Sequence, residues 1–349
     1  MQGFLSSGTL GFYCTKNTPD NSFKITTSDS LSTGRQTTSN ALKTTTTSNA
    51  TKSITTSDTV KTTKKDFQKH KDALSVLVIG DSNTEFGYIT NALQELINKD
   101  YQTNEHGYFP FHDRFRANNN INAVKILLSS AWQRVDMTET PGNTAWSGSG
   151  LAAVSSTSGA IAKVTFVGTQ IKLFYATQVG GGSMTCTVDG QNKTTINTNE
   201  SPKTKVQFFW GLDPSETHVL EIKVDKGPVI LCGVDVTKKT GRGAVHNWGN
   251  GGAKTSNFTM VDKSVFKTGI DLLEPDVVVV LLGTNDYIST KDFTNNMKSI
   301  LNTIKEAAPK AKRLLVSTFE TGNNHTQMKQ YLCFWYNKNR AFRNLKIPA

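Results

Sequence analysis

Cysteine is scarce: four residues among 349 (Cys14, Cys186, Cys232 and Cys333), with no CxxC pair and no other metal-binding spacing. That scatter excludes a disulfide scaffold and a zinc module, and it leaves reduced thiols. Long apolar runs are also missing, since no window approaches 18 uninterrupted apolar residues, so no membrane-spanning helix is expected. No Lys or Arg precedes the apolar residues of the N-terminal segment, which begins Met1-Gln2-Gly3-Phe4-Leu5, and no secretory signal peptide is expected there. Apolar residues make up 36% and charged residues 19% of the chain, both below ordinary globular usage, with Ser, Thr and Asn in their place. A polar, low-complexity segment therefore dilutes an ordinary folded protein. At about 150 residues per domain, the length predicts two or three domains.

Charge is not balanced. Lys and Arg number 39 against 28 Asp and Glu, a formal +11, but the excess is spread thinly and no five or six basic residues run together. The densest cluster, Lys61, Lys64, Lys65, Lys69 and Lys71, lacks the series of aromatic side chains that makes a nucleic-acid stacking platform. No nucleic-acid partner is expected. The basic excess reads as a solvated surface, or as attraction to an anionic surface polymer such as teichoic acid.

Residues 26–63 contain 22 Ser or Thr among 38, with a small unit recurring at Thr26-Thr27-Ser28-Asp29, Thr37-Thr38-Ser39-Asn40, Thr46-Thr47-Ser48-Asn49 and Thr55-Thr56-Ser57-Asp58. Single apolar residues between the units cannot offset the chain entropy of folding alone. The segment 26–72 is thus either a linker or a stalk in which several chains bury one another's apolar positions. Residues 1–25, with Phe4, Leu5, Leu10, Phe12, Tyr13 and Phe23, read as a short anchor before it.

From Ala73 the texture changes. Ser75-Val76-Leu77-Val78-Ile79 is a continuous apolar run of the kind buried on both faces of a parallel sheet, and it ends in Gly80-Asp81-Ser82. Ile89, Leu93, Leu96 and Ile97 predict an amphipathic helix over about 86–99. Between 121 and 240, seven short alternating runs separated by Gly, Asp and Pro turns predict a β-sandwich. After 241 the α/β texture returns: a second apolar strand at 276–282 ends in Gly283-Thr284-Asn285-Asp286, a helix runs to about Ala308, and another strand follows at 313–317. The expected architecture is one three-layer α/β/α domain of flavodoxin-like kind, split into 73–120 and 241–349, with a sandwich at 121–240 inserted beyond its strand ends.

Two parallel strands that each end in a polar cluster place both clusters on one sheet edge. A Ser at a tight strand-to-helix turn exposes its hydroxyl and frees its own amide as an oxyanion donor, and an Asn from a second strand end can add another. A glycine cluster, His246-Asn247-Trp248-Gly249-Asn250-Gly251-Gly252-Ala253, lies between them. In this order the three blocks resemble those of the SGNH (GDSL-type) hydrolases. The resemblance implies Ser82 as nucleophile, an oxyanion-hole amide at Gly252 with Gly251 as the alternative register, and Asn285 as the second oxyanion donor. It implies no cofactor and no metal. The family's closing Asp-x-x-His block, whose His is the general base, does not follow Asn285, so the chain is expected to be either truncated or inactive unless another His serves. His325 and His246 are the two candidates. Asp286 is expected to cap the turn that follows it.

The overall layout is similar to phage tail-fibre and receptor-binding proteins, which implies a virion tail location after assembly in the host cytoplasm, a homotrimer joined through the stalk, and other tail proteins as partners. The implied activity is deacylation, chiefly deacetylation, of a bacterial surface polysaccharide or teichoic acid. The competing reading is a non-catalytic glycan-binding adhesin on a degenerate hydrolase scaffold. Trp132, Trp146, Tyr175, Phe208, Phe209 and Trp210 are the candidate sugar-stacking residues of the sandwich, with one of the adjacent pair Phe208 and Phe209 facing inward.

Overall fold

The computed structural model describes residues 73–101, 105–112, 124–139, 147–238, 243–286 and 290–316, together with the backbone of three short N-terminal strands. These are Gln2–Ser6 (β1), Thr9–Tyr13 (β2) and Lys24–Thr26 (β3), with β1 antiparallel to β2 and parallel to β3. The rest of the expected anchor and the stalk repeats after Thr26 lie outside the described residues.

The apolar run after Ala73 forms β4 (Ser75–Gly80), buried at all six positions. A one-turn helix α1 (Ser82–Glu85) and then α2 (Tyr88–Asp100) follow it directly. Later in the chain come β16 (Ala244–Gly249), helices α3 (Thr255–Met260) and α4 (Lys263–Leu273), β17 (Val277–Leu281), α5 (Thr290–Ala307) and β18 (Lys312–Leu315). Four of these strands make one parallel sheet in the order β16-β4-β17-β18. The expected α/β fold is what forms.

Side-chain alternation splits the sheet's burial. Val76, Val78, Val245, Val277 and Val279 face one way and pack with Leu93 and Ile97 of α2. Leu77, Ile79, Trp248, Val278 and Val280 face the other way, against Phe266 and Ile270 of α4 and Ile300 and Ile304 of α5. Neither β16 nor the α3–α4 pair is evident as an apolar run. His246 and Asn247 interrupt β16, and α4 is marked only by the Asp262 cap, whose carboxylate accepts from Ser264 N at 2.8 Å and Val265 N at 3.0 Å, and by Val265, Phe266, Ile270 and Leu273 at helical spacing.

Two antiparallel sheets separate the halves of this domain in sequence. One has the order β12 (Gln191–Asn197), β11 (Ser183–Val188), β14 (Thr217–Lys226), β9 (Ile161–Val167) and β6 (Val124–Leu128). The other has β13 (Lys203–Trp210), β10 (Gln170–Thr177), β15 (Val229–Thr237), β8 (Leu151–Ser155) and β7 (Gln133–Asp136). Ile171, Leu173, Val164, Phe166, Leu220 and Ile222 from both sheets fill a shared apolar cluster. A further strand, β5 (Glu105–Pro110), pairs with β15. It therefore belongs by hydrogen bonding to the second sheet, although it lies within 73–120, the stretch expected to be part of the α/β domain.

The second sheet also packs on the parallel sheet, since Tyr108, Phe174 and Trp248 share one core, with Tyr108 edge-on to both other rings at 5.5 and 5.9 Å. Alongside lies a buried ionic group. Lys172 on β10 pairs with Glu105 on β5 and with Asp235 on β15 at 3.4 Å, and His246 of β16 approaches the same carboxylates. One lysine thus serves two buried acids. Burial pushes Asp235 up, Glu105's charge adds to this and Lys172 opposes it, leaving Asp235 at about 7. For Glu105 burial also acts upward, but the charges of Lys172 and His246 outweigh it and hold the group below its ordinary value.

The folded chain retains the Asp235 proton up to about pH 7, whereas an unfolded Asp releases it near pH 4. This group's contribution to stability is therefore full below about pH 4 and is lost as pH rises toward 7. Asp235→Asn should remove that component from a plot of Tm against pH. Lys172→Met strands two buried carboxylates and should cost about 3–5 kcal/mol, measured by urea unfolding at neutral pH. A loss under about 1 kcal/mol would show that the group is solvent-screened.

Candidate active site

Parallel register brings the three polar segments to one edge. Gly249 lies opposite Gly80 across the β16–β4 pair, and Leu281 lies opposite Gly80 across β17–β4. Residues 81–85, 250–253 and 282–286 therefore leave the sheet side by side at its carboxyl end.

Ser82 is the first residue of α1. Asp81 caps this helix by accepting from Asn83 N at 3.0 Å, and its other carboxylate oxygen is buried with no hydrogen bond among the described residues. First-turn amides of a helix have no intrahelical partner, and Ser82 N–H makes no hydrogen bond to any described residue. The same holds for Ser82 Oγ.

The loop after β16 lies directly on α1. A Cβ at Gly249 would stand 2.0 Å from Glu85 N and 2.5 Å from the Thr84 carbonyl carbon, so only glycine lets the two backbones meet. Asn247 stitches the contact: its Nδ2 donates to Thr84 O at 2.6 Å, and its Oδ1 accepts from Gly249 N at 2.8 Å. Asn250 N donates to Gly80 O at 3.0 Å, and Asn250 Nδ2 donates to Ser149 O at 3.3 Å, tying the loop to the segment before β8.

The two adjacent glycines are then distinct. Gly251 N–H donates to the Glu85 carboxylate, and a Cβ there would lie 3.9 Å from Ser82 Cβ. Gly252 has φ +78°, nothing within 4 Å of its Cβ position, and an amide with no hydrogen bond among the described residues. Asn285 Nδ2 donates to Ala253 O at 3.1 Å, beside Gly252, and its second N–H remains available. Three N–H donors thus lie on three segments at one edge: Ser82 N, Gly252 N and Asn285 Nδ2.

The turn after Asp286 lies outside the described residues, and the bonds that Asp286 makes run elsewhere. Its carboxylate accepts from Thr255 N at 3.0 Å and from Thr255 Oγ1, capping α3 across the site. Burial pushes its pKa up and the Asp81 charge adds to this, against the Thr255 hydrogen bonds.

His246 is placed where it cannot act as base for Ser82. It lies mid-strand opposite Leu77, and its Nε2 is 3.1 Å from Ser75 Oγ, at the start of β4 rather than its end. Ser75 and Ser82 are seven positions apart, and at about 3.3 Å per strand residue the imidazole is held far from the hydroxyl. His325, the other candidate, lies outside the described residues, as does Trp146. His218 closes a turn of the first sheet, between Asp189 Oδ2 at 2.7 Å and Asp213 O at 2.8 Å.

Of the candidate sugar-stacking residues, Trp132, Tyr175 and Phe209 are core, while Phe208 and Trp210 point outward from the edge strand β13. Trp210 lies opposite Gln170, in the row that continues through Thr237 to Glu105. That row ends at Glu105 of the ionic group.

The sequence between residues 222 and 342 matches the family model described as GDSL-like Lipase/Acylhydrolase. This segment includes Gly251, Gly252 and Asn285, whereas Ser82 precedes it. Among solved structures the chain is similar to a peptidoglycan O-acetylesterase, with a TM-score of 0.62 and 18% identity over 80% of this chain and 79% of that one. It is also similar, in part, to family two carbohydrate esterases from Cellvibrio japonicus and Clostridium thermocellum. Their TM-scores are 0.24 and 0.25, each at 12% identity, covering 63% and 64% of this chain and 85% and 86% of theirs. No curated protein matches the chain. The fold is that of an SGNH hydrolase.

Gly249→Ala forces a backbone clash and should destabilise the protein by about 3 kcal/mol. Gly252→Ala meets open space and should cost about 1–2 kcal/mol for its positive φ. Denaturant unfolding of both variants gives the order, and a reversed order would mean that the loop does not rest on α1 as described.

Proposed function

We propose that this chain is a serine esterase of SGNH type that removes acyl groups, acetyl foremost, from a bacterial surface glycan. The observation that carries the reading is that the segments bearing Ser82, Gly252 and Asn285 leave the sheet side by side, with the Ser82 and Gly252 amides and one Asn285 amide hydrogen unbonded among the described residues. Ser82 Oγ would attack the ester carbonyl carbon, its proton passing to a base as the C–O bond forms. The carbonyl oxygen, gaining negative charge, would sit among Ser82 N–H, Gly252 N–H and Asn285 Nδ2–H. Collapse expels the sugar alkoxide, which takes a proton, and water then releases acetate from the acyl-serine. Between the two glycine registers the geometry favours Gly252, because the Gly251 amide is already bound to Glu85.

The base belongs to no described residue that contacts Ser82, and His325 is the candidate the proposal retains. The adhesin alternative draws on that same observation. The tail-fibre setting, with its virion location, homotrimer and tail-protein partners, is part of the proposal on the strength of the Ser/Thr repeats alone, and the glycan or teichoic acid substrate is its natural counterpart.

Acetate release from p-nitrophenyl acetate and from O-acetylated peptidoglycan tests the chemistry. Ser82→Ala should abolish it, a fall on the order of 10⁴ to 10⁶ if a base is engaged, and Asn285→Ala should lower kcat by about 10² to 10³. Loss of turnover in His325→Ala, with glycan binding retained, would identify the base. Glycan binding without any acetate release in the unmodified chain would instead support the adhesin.

The stalk is tested separately by light scattering on the full chain and on residues 73–349. A trimeric mass for the first and a monomeric mass for the second is expected, and two monomeric masses would remove the fibre from the proposal.

A further inference from the structure

We infer that Glu85 is a positioning residue for the oxyanion donors: its carboxylate holds the Gly251 amide, so that the next amide, Gly252's, is the one turned toward the nucleophile. The inference rests on the esterase reading for its consequence, and on contacts within the fold for its basis.

An oxyanion site requires donors at about 2.7–3.1 Å from one atom, yet here they come from segments far apart in sequence. Ser82 and Glu85 belong to the same helical turn, three residues apart, so whatever Glu85 grips is fixed relative to Ser82. Glu85 is nearly buried, at 8% exposure, and its Oε2 accepts from Gly251 N–H across a separation of 166 residues. Breaking a buried hydrogen bond leaves desolvated groups unpaired, which costs more than the bond's net contribution. The contact therefore tethers the glycine loop as well as touching it.

Gly249 supplies close approach, and Asn247 anchors the strand end to Thr84 O. Beyond Asn250 the loop is held at Ala253, by Asn250 O and Asn285 Nδ2, and at Gly251 by Glu85. Of these, Glu85 is the contact made from the same helical turn as Ser82. A Glu in a first helical turn is ordinarily a complement to the helix dipole, but here its carboxylate turns toward the loop.

The test uses the full chain with Glu85→Gln, which keeps an acceptor oxygen, and Glu85→Met, which keeps length and packing but accepts nothing. Hydrogen–deuterium exchange over residues 247–254 reads the tether directly. Faster exchange by at least about tenfold is expected in the Met variant and near-unmodified exchange in the Gln variant. With p-nitrophenyl acetate, Glu85→Met should lower kcat by about 10²-fold, the effect of a misplacement near 1 Å, with KM within about twofold. Glu85→Gln should recover most of the loss.

Unchanged loop exchange in Glu85→Met overturns the tether, and unchanged kcat with faster exchange overturns its bearing on catalysis. If the unmodified chain releases no acetate, the esterase reading fails, while the exchange comparison still decides whether Glu85 holds the loop.

Discussion

The register of β4 against its two neighbours is the constraint on which the rest depends. A slip of one residue in a strand reverses which side chains face which layer. It would expose Leu77 and Ile79 to the α2 side and set Val76 and Val78 against Trp248. It would also separate Gly80 from Gly249 and from Leu281, and with them the segments that carry Ser82, Gly252 and Asn285. Burial of β4 on both faces thus acts as an alignment device: the energy that selects the core is the same energy that brings the polar residues into line.

The inserted sheets are not an independent appendage. Their second sheet shares an apolar core with the parallel sheet, through Tyr108, Phe174 and Trp248, and a buried ionic group beside it. Apolar burial supplies most of the adhesion between such layers. Lys172, Glu105, Asp235 and His246 add angular definition, because charges without water accept few alternative partners. Asn250 and Ser149 extend the same junction toward the site.

The fold was legible where burial is two-sided or strictly alternating. Ser75–Ile79 and Val277–Leu282 show as apolar runs, and the strands at 162–167, 170–175 and 218–224 show as alternations. Legibility failed where a buried element carries polar side chains satisfied only in three dimensions. In β16, His246 finds Ser75 and Asn247 finds Thr84, partners more than 150 residues away. The site followed the same division. Ser82 and Asn285 follow readable strands. The choice between Gly251 and Gly252, the place of His246 away from the serine and the cap that Asp286 gives to α3 all depend on long-range partners that no local pattern encodes.

The separation of the site's parts along the chain has a consequence during synthesis. β4 and the Ser82 turn emerge first, but the strands that flank β4 follow only after the whole sandwich, with β16 beginning at Ala244 and β17 at Val277. Closing so long a loop is entropically costly until the intervening sheets have folded and brought its ends together. The two antiparallel sheets then serve as an internal scaffold for the parallel sheet. Until residue 285 has left the ribosome, the Ser82 turn stands without the segments that carry Gly252 and Asn285, and the polar edge of the parallel sheet is incomplete.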